Sequence, residues 1–203
     1  LGNFLYLKNA SKVKKVGAGN LLRNHSHLIT DAMATYWTLQ TEIVWEHFKK
    51  QGYLEGSPAH AMYPEEYKWM MNQMKKRLPN YRGEHPIWLW MKKPDMRQTG
   101  HFQEGTRCVR LTVELDEKDV LVSDFEDWHF VLNNSFCSNN EQEDSAFEKG
   151  LLKITKEDSW ERIFDLNRIR DPKWHGDGER MLQGTTGRIE MQRVKKVEHF
   201  VTR

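Results

Sequence analysis

The chain is poor in cysteine. Two occur in 203 residues, Cys108 and Cys137, far apart and without a CxxC spacing. That excludes a disulfide-stapled scaffold and leaves two reduced thiols, as expected of a cytoplasmic protein. No run of about 18 apolar residues exists, so no apolar membrane-spanning helix is expected. The opening LGNFLYLKNASKVKKVGAGNLLRNHSH has no long apolar stretch of the kind a secretory leader needs. Charge of one sign is missing too: the net charge is +2 with 30% of residues charged. Bulk charge therefore gives the body no claim on a polyanion. There is no G-x-S-x-G, no Walker loop and no H-E-x-x-H, and no carboxylates pair in a way that points to glycoside hydrolysis. No internal repeat is present.

What the chain does have is aromatic mass: eight tryptophans and nine phenylalanines. With this length they imply a packed core rather than a disordered chain. The charge is also uneven. Residues 1–32 hold five Lys/Arg against one acid. They show no helical or strand period and are rich in Lys, Asn, Gly and Ser. They are expected to be a flexible basic arm, or sequence upstream of a start at Met33; the sharper alternative is an arm that binds nucleic acid. His25-x-His27 lies in this arm without further ligands nearby, so no metal site is expected.

Patterning begins at Met33. Tyr36-Trp37-Thr38-Leu39-Gln40 is a short aromatic and β-branched run, hence a strand, with Thr38 and Gln40 on one face and Trp37 on the other. Thr41 can cap the following EIVWEHFKKQG, whose Ile43, Val44, Trp45 and Phe48 share a helix face and whose Gly52 suits a left-handed stop. A second helix starts at Pro64, carries Tyr67, Met70, Met71, Met74 and Leu78 at helical spacing, and stops at Pro79. PIWLW is a strand with Trp88 and Trp90 on one face. CVRLTVEL alternates with Val109, Leu111, Val113 and Leu115 inward, which marks a half-buried, antiparallel strand. Residues 120–122 form another. Ser123 and Glu126 then make an S-x-x-E capping box, and Phe125, Trp128, His129 and Leu132 fall on one helix face. Asp124 and Asp127 are accounted for by the electrostatics of that helix start. Residues 135–150 read as an acidic surface loop, TKEDSWERIFDL as a helix with Trp160, Ile163 and Phe164 inward, and NRIRDPKWHGDGER as a loop. The end of the chain supplies one or two strands interrupted by Gly184 and Gly187, expected to return beside the first. The sum is one α+β domain over residues 33–203, with a mixed, mainly antiparallel central sheet and helices packed on it.

The segments YWTLQTEIVWEHFKKQGYLEG, YPEEYKWMMNQMKKR, PIWLW, VLVSDFEDWHFVLNN, SWERIFDL and LQGTTGRIEMQRVKKV, in this order, resemble a bacterial family known as domain of unknown function 3841. The resemblance covers nearly all of residues 33–203, and residues 120–134 are its most specific part. The family name implies no activity. A more distant resemblance is architectural. A first strand, a helix of a dozen residues and then Gly-aromatic-Leu look like the opening of small ADP-ribosyltransferase-type domains. Those domains begin with an aromatic, a His and a Thr on strand one and end with a catalytic Glu on a late strand. Tyr36-Trp37-Thr38 stands at the first position here, and Gln183, or more loosely Glu190, at the second. This resemblance implies NAD as substrate and an unknown macromolecular acceptor.

Such chemistry needs a nicotinamide clamp, a stacking surface and an oriented nucleophile. Trp37, Thr38 and Gln40 are the candidates for holding NAD, Gln183 for orienting a ribose hydroxyl or the acceptor, and His129 for the general base. The competing reading is a non-catalytic module that presents Trp88, Trp90 and Trp174 to a protein or nucleic acid. Packed aromatics, a solvent-facing Thr38–Gln40 pair and a structural His129 remain the plainer readings of the same residues.

Overall fold

The computed structural model describes residues 32–98 and 102–203. The expected basic arm, its nucleic-acid reading and the His25-x-His27 pair lie outside the described residues. The order of elements is β1 (Met33–Thr41), α1 (Glu42–Gln51), β2 (Tyr53–Leu54), α2 (Pro64–Arg77), β3 (Ile87–Trp90), β4 (Arg107–Asp116), β5 (Leu121–Asp124), α3 (Phe125–Leu132), α4 (Glu141–Glu148), α5 (Lys156–Trp160), α6 (Pro172–His175), β6 (Leu182–Thr186), β7 (Ile189–Glu190) and β8 (Val194–Val201).

Six strands form one sheet in the order β5-β6-β3-β1-β4-β8, and β2 pairs with β7 in a separate ribbon. Each of these pairings is antiparallel. The fold is therefore α+β on a mainly antiparallel sheet. The last strands do not return beside the first: β6 pairs with β3 and β8 with β4, so β1 keeps β3 and β4 as neighbours. None of the described helices is long and apolar enough to cross a membrane.

The local signals set the elements. Thr41 Oγ1 accepts from the Val44 N–H at 3.4 Å, and Gly52 closes α1 at φ 84° with its N–H on the Phe48 carbonyl. Only Trp45 and Phe48 of the α1 face are buried. Ile43, expected inward, is 73% exposed, because the sheet meets a narrower stripe of the helix. The β4 alternation holds, with Val109, Leu111, Val113 and Leu115 in the core. Residues 135–150 differ from expectation: α4 forms there, capped by Asn140, and the Phe147 ring stacks on Phe136 at 4.0 Å. Two aromatics in an otherwise polar stretch fold the segment onto itself.

Two core layers cover opposite faces. On one face Tyr36, Leu89, Leu111 and Val113 pack against Trp45 and Phe48 of α1 and against Leu54 and Ile189 of the ribbon. On the other, Trp88 and Leu121 pack beneath Met70 and Met74 of α2, Trp128 and Val131 of α3, and Trp160 and Ile163. This second layer includes no residue of β1. Helix cover on that face ends at β3, and Trp37 and Leu39 of β1 are left half-buried, with Thr35 exposed.

Candidate functional site

The register fixes one row of side chains across the sheet. Trp37 of β1 stands opposite Trp90 of β3, Trp90 opposite Gln183 of β6, and Gln183 opposite Ser123 of β5. Directly opposed residues in antiparallel strands project from the same face, with Cβ atoms about 5 Å apart. The row therefore crosses the second face, from half-buried Trp37 beyond the helix cover to buried Gln183 and Ser123 beneath it. Ladder pairing between β1 and β3 is a single pair, Trp37 with Trp90. The sheet is least extensively paired there.

Gln183 is 7% exposed, and its Nε2 donates to Ser123 Oγ at 3.3 Å. Ser123 is free for this because it is not the helix cap. Asp124 takes that place, its Oδ1 accepting from the Asp127 N–H at 3.0 Å. This corrects the S-x-x-E expectation: the strand runs one residue further than the motif implies, so the cap moves with it. Gly184 follows Gln183 where a Cβ would stand 2.7 Å from Val120 Cγ1, so only glycine lets β6 lie this close to the chain entering β5. A hollow of about 20 Å³ lies beside Gln183, between Trp90, Phe125 and Met181.

His129 packs on Phe125, one of the residues that line that hollow. Its Nδ1 is 3.0 Å from the Phe125 carbonyl and its ring meets the Phe125 ring edge-on at 5.0 Å. A carbonyl only accepts, so Nδ1 carries the hydrogen and Nε2 is the basic nitrogen. Thr38 and Gln40 are not brought to this face. They sit on the opposite side of β1, Thr38 is 1% exposed, and Gln40 Nε2 donates to Thr38 Oγ1 at 2.9 Å. Of the expected site residues, the structure thus sets Trp37 and Gln183 in one row with Trp90 between them, places His129 against Phe125, and separates Thr38 and Gln40. Trp90 and Ser123 join the row unforeseen. Period-two alternation gave the face of Trp90, but no local signal gives its partner strand.

A second feature escaped sequence reasoning altogether. Asp124 and Asp127, read as helix-start charges, are fully buried in a knot of arginines. Asp124 Oδ2 accepts from Arg170 Nη1 at 3.1 Å and from Arg180 Nη1 at 2.9 Å, while Arg168 Nη2 pairs with Asp127 Oδ2. Arg168 also donates to Asn139 Oδ1 at 2.8 Å, and Arg180 Nη2 to the Arg168 carbonyl at 2.7 Å. The loop over residues 165–181 is pinned to α3 by these bonds. His175 Nδ1 faces Asp127 Oδ1 at 3.6 Å, with its Nε2 on the Ser138 carbonyl at 3.0 Å. Burial holds His175 below the ordinary imidazole value; Asp127 pulls it upward, and Arg168 and Arg170 push it down again. Burial raises the Cys137 thiol to about 12 and the Cys108 thiol to about 11, which disfavours their thiolate forms.

A larger polar groove of about 600 Å³ opens between the turn after α2, the end of β4 and the β6–β7 connection, with Tyr81, Arg82, Asp116, Glu190 and Arg193 among its walls. It includes none of the row residues.

Neither a curated protein nor a solved structure matches the chain. A family model, described as domain of unknown function DUF3841, matches residues 35–156, more than half of the sequence, from β1 through α3 to the start of α5. The chain belongs to that family.

Proposed function

We propose that the protein transfers ADP-ribose from NAD to a macromolecular acceptor, with the dinucleotide lying along the Trp37–Trp90–Gln183 row. The observation that carries this reading is the register itself, which sets two indole rings and one carboxamide side by side where the ladder between β1 and β3 narrows to one pair. In the reaction the bond from nicotinamide nitrogen to ribose C1′ breaks, nicotinamide leaves with the bonding electrons, and the acceptor nucleophile forms the new bond to C1′. Positive charge develops on the sugar meanwhile. Indole faces suit both the flat nicotinamide and that charge. Gln183 can accept from a ribose hydroxyl through its oxygen while its Nε2 is held by Ser123. It cannot take a proton, so the acceptor's proton goes to His129 Nε2.

The competing binding-module reading has less behind it. Trp88 is packed between Tyr67 and Trp128, at 6.0 and 5.0 Å between ring centroids, rather than presented to a partner. Trp174, at 38% exposure, is the one member of that trio among the exposed aromatics.

The test is thermal denaturation with and without millimolar NAD, for the parent chain and for Gln183→Ala, followed by label transfer from tagged NAD to cell extract. The reading expects a rise in the parent's melting temperature that is lost in Gln183→Ala, and labelled acceptor. A parent chain indifferent to NAD in both assays sinks it.

A further inference from the structure

We propose that Arg170 and Arg180 form a phosphate-binding subsite that takes the diphosphate of a dinucleotide. Its placement beside Gln183 rests on the reading above; its chemistry stands on the charge knot. That knot holds three guanidiniums, Arg168, Arg170 and Arg180, against two carboxylates, Asp124 and Asp127, so one positive charge is in excess. Excess charge this far out of water calls for an anion.

The donors are also underused. Asp124 Oδ1 is spent on the Asp127 N–H, and its Oδ2 is shared between Arg170 and Arg180. Arg170 makes its hydrogen bond through Nη1 alone. Among the described residues no acceptor meets its Nε or Nη2, although its side chain is only 11% exposed. Arg168 Nε is buried without an acceptor. A guanidinium presents its N–H groups as a planar fork that matches two phosphate oxygens. The carboxylate holds Arg170 and Arg180 together and leaves the Arg170 fork unspent.

Position completes the case. Asp124 stands opposite Leu182, and Ser123 opposite Gln183, in the same ladder. The arginine anchor is thus the next residue along β5 from the Gln183–Ser123 pair, at the turn into α3, with its side chain set off from the face of the row by the strand's alternation. In a dinucleotide the diphosphate is one methylene away from the ribose, so a sugar at Gln183 carries its phosphates to this end of β5 and β6.

The test is calorimetric titration of the full chain with ADP, inorganic pyrophosphate and adenosine, in the parent, Arg170→Gln and Arg180→Gln. ADP and pyrophosphate should bind the parent and lose about tenfold in affinity in each variant, the value of one charge-assisted contact; adenosine should not distinguish the three proteins. Should a variant fail to fold, the Arg170 Nε resonance of the labelled parent decides: it should move on adding pyrophosphate. Equal ADP affinity in parent and Arg170→Gln, or an unmoved Nε resonance, overturns the subsite. NAD binding that is unchanged in Arg170→Gln sinks the subsite and spares the dinucleotide reading. Pyrophosphate binding that falls in Arg170→Gln while NAD is ignored does the reverse.

Discussion

Trp37 stands opposite Trp90, and that one pair is the whole ladder between β1 and β3. On its other side β1 pairs with β4 at nine positions, and β3 pairs with β6 at four. Each half-sheet is thus more extensively paired within itself than with the other. The core layers differ in reach: the layer under α1 and the ribbon runs beneath both halves, with Leu89 of β3 beside Tyr36 and Leu111, whereas α2 and α3 cover the other face of the β3 half alone.

The face assignment separates residues that are adjacent in sequence. Trp37→Ala should weaken NAD binding about tenfold, the stacking value of one aromatic ring. Thr38→Val, on the buried opposite face, should leave it within about twofold while lowering stability by about 1 kcal/mol through the lost Gln40 bond. Titration of both variants checks this; equal losses of affinity would mean that the row is not the binding surface.

Gly184→Ala should destabilise the protein by about 1–3 kcal/mol, because the new methyl collides with Val120 Cγ1 at 2.7 Å and touches Leu89 Cβ at 3.4 Å. Adding Val120→Ala should recover part of that loss. Urea denaturation of the two single variants and the double variant gives the coupling. An additive result would show that the two side chains do not meet.

Asp124→Ala should cost about 3–5 kcal/mol, since it strands Arg170 and Arg180 and removes the α3 cap in one change. Ser123→Ala should cost about 1 kcal/mol, the value of its bond to Gln183. The ranking is the test. If Ser123→Ala proves the more damaging, Ser123 caps the helix after all.

His175 gives a pH dependence whose sign is fixed. Burial sets its folded pKa below the unfolded value, so the unfolded chain takes up the proton first as pH falls. The contribution of neutral His175 is complete above about pH 6.5 and is lost as pH drops from there towards the folded pKa. Chemical denaturation between pH 5 and 8 should show stability falling on the acid side, and His175→Gln should flatten that slope. An unchanged slope in the variant would place the titrating group elsewhere.

Several elements were legible because their causes are local. Thr41 caps α1, Gly52 ends it, Pro64 opens α2, and the apolar alternation of β4 marks its buried face, all within a few residues of chain. Where the cause lay far away, local reading failed. Ser123 has the spacing of a cap, but its hydroxyl is engaged by Gln183, 60 residues on, and Asp124 caps instead. The loop at 165–181 carries no periodicity, yet its three arginines close on two aspartates more than 40 residues earlier. By itself the sequence determined β1, α1, α2, β3, β4, β5 and α3 and the apolar face of β4, because backbone preference and the period of two act between near neighbours. Only the tertiary structure decided that Trp37, Trp90, Gln183 and Ser123 share a row, because strand order and register depend on how two core layers pack.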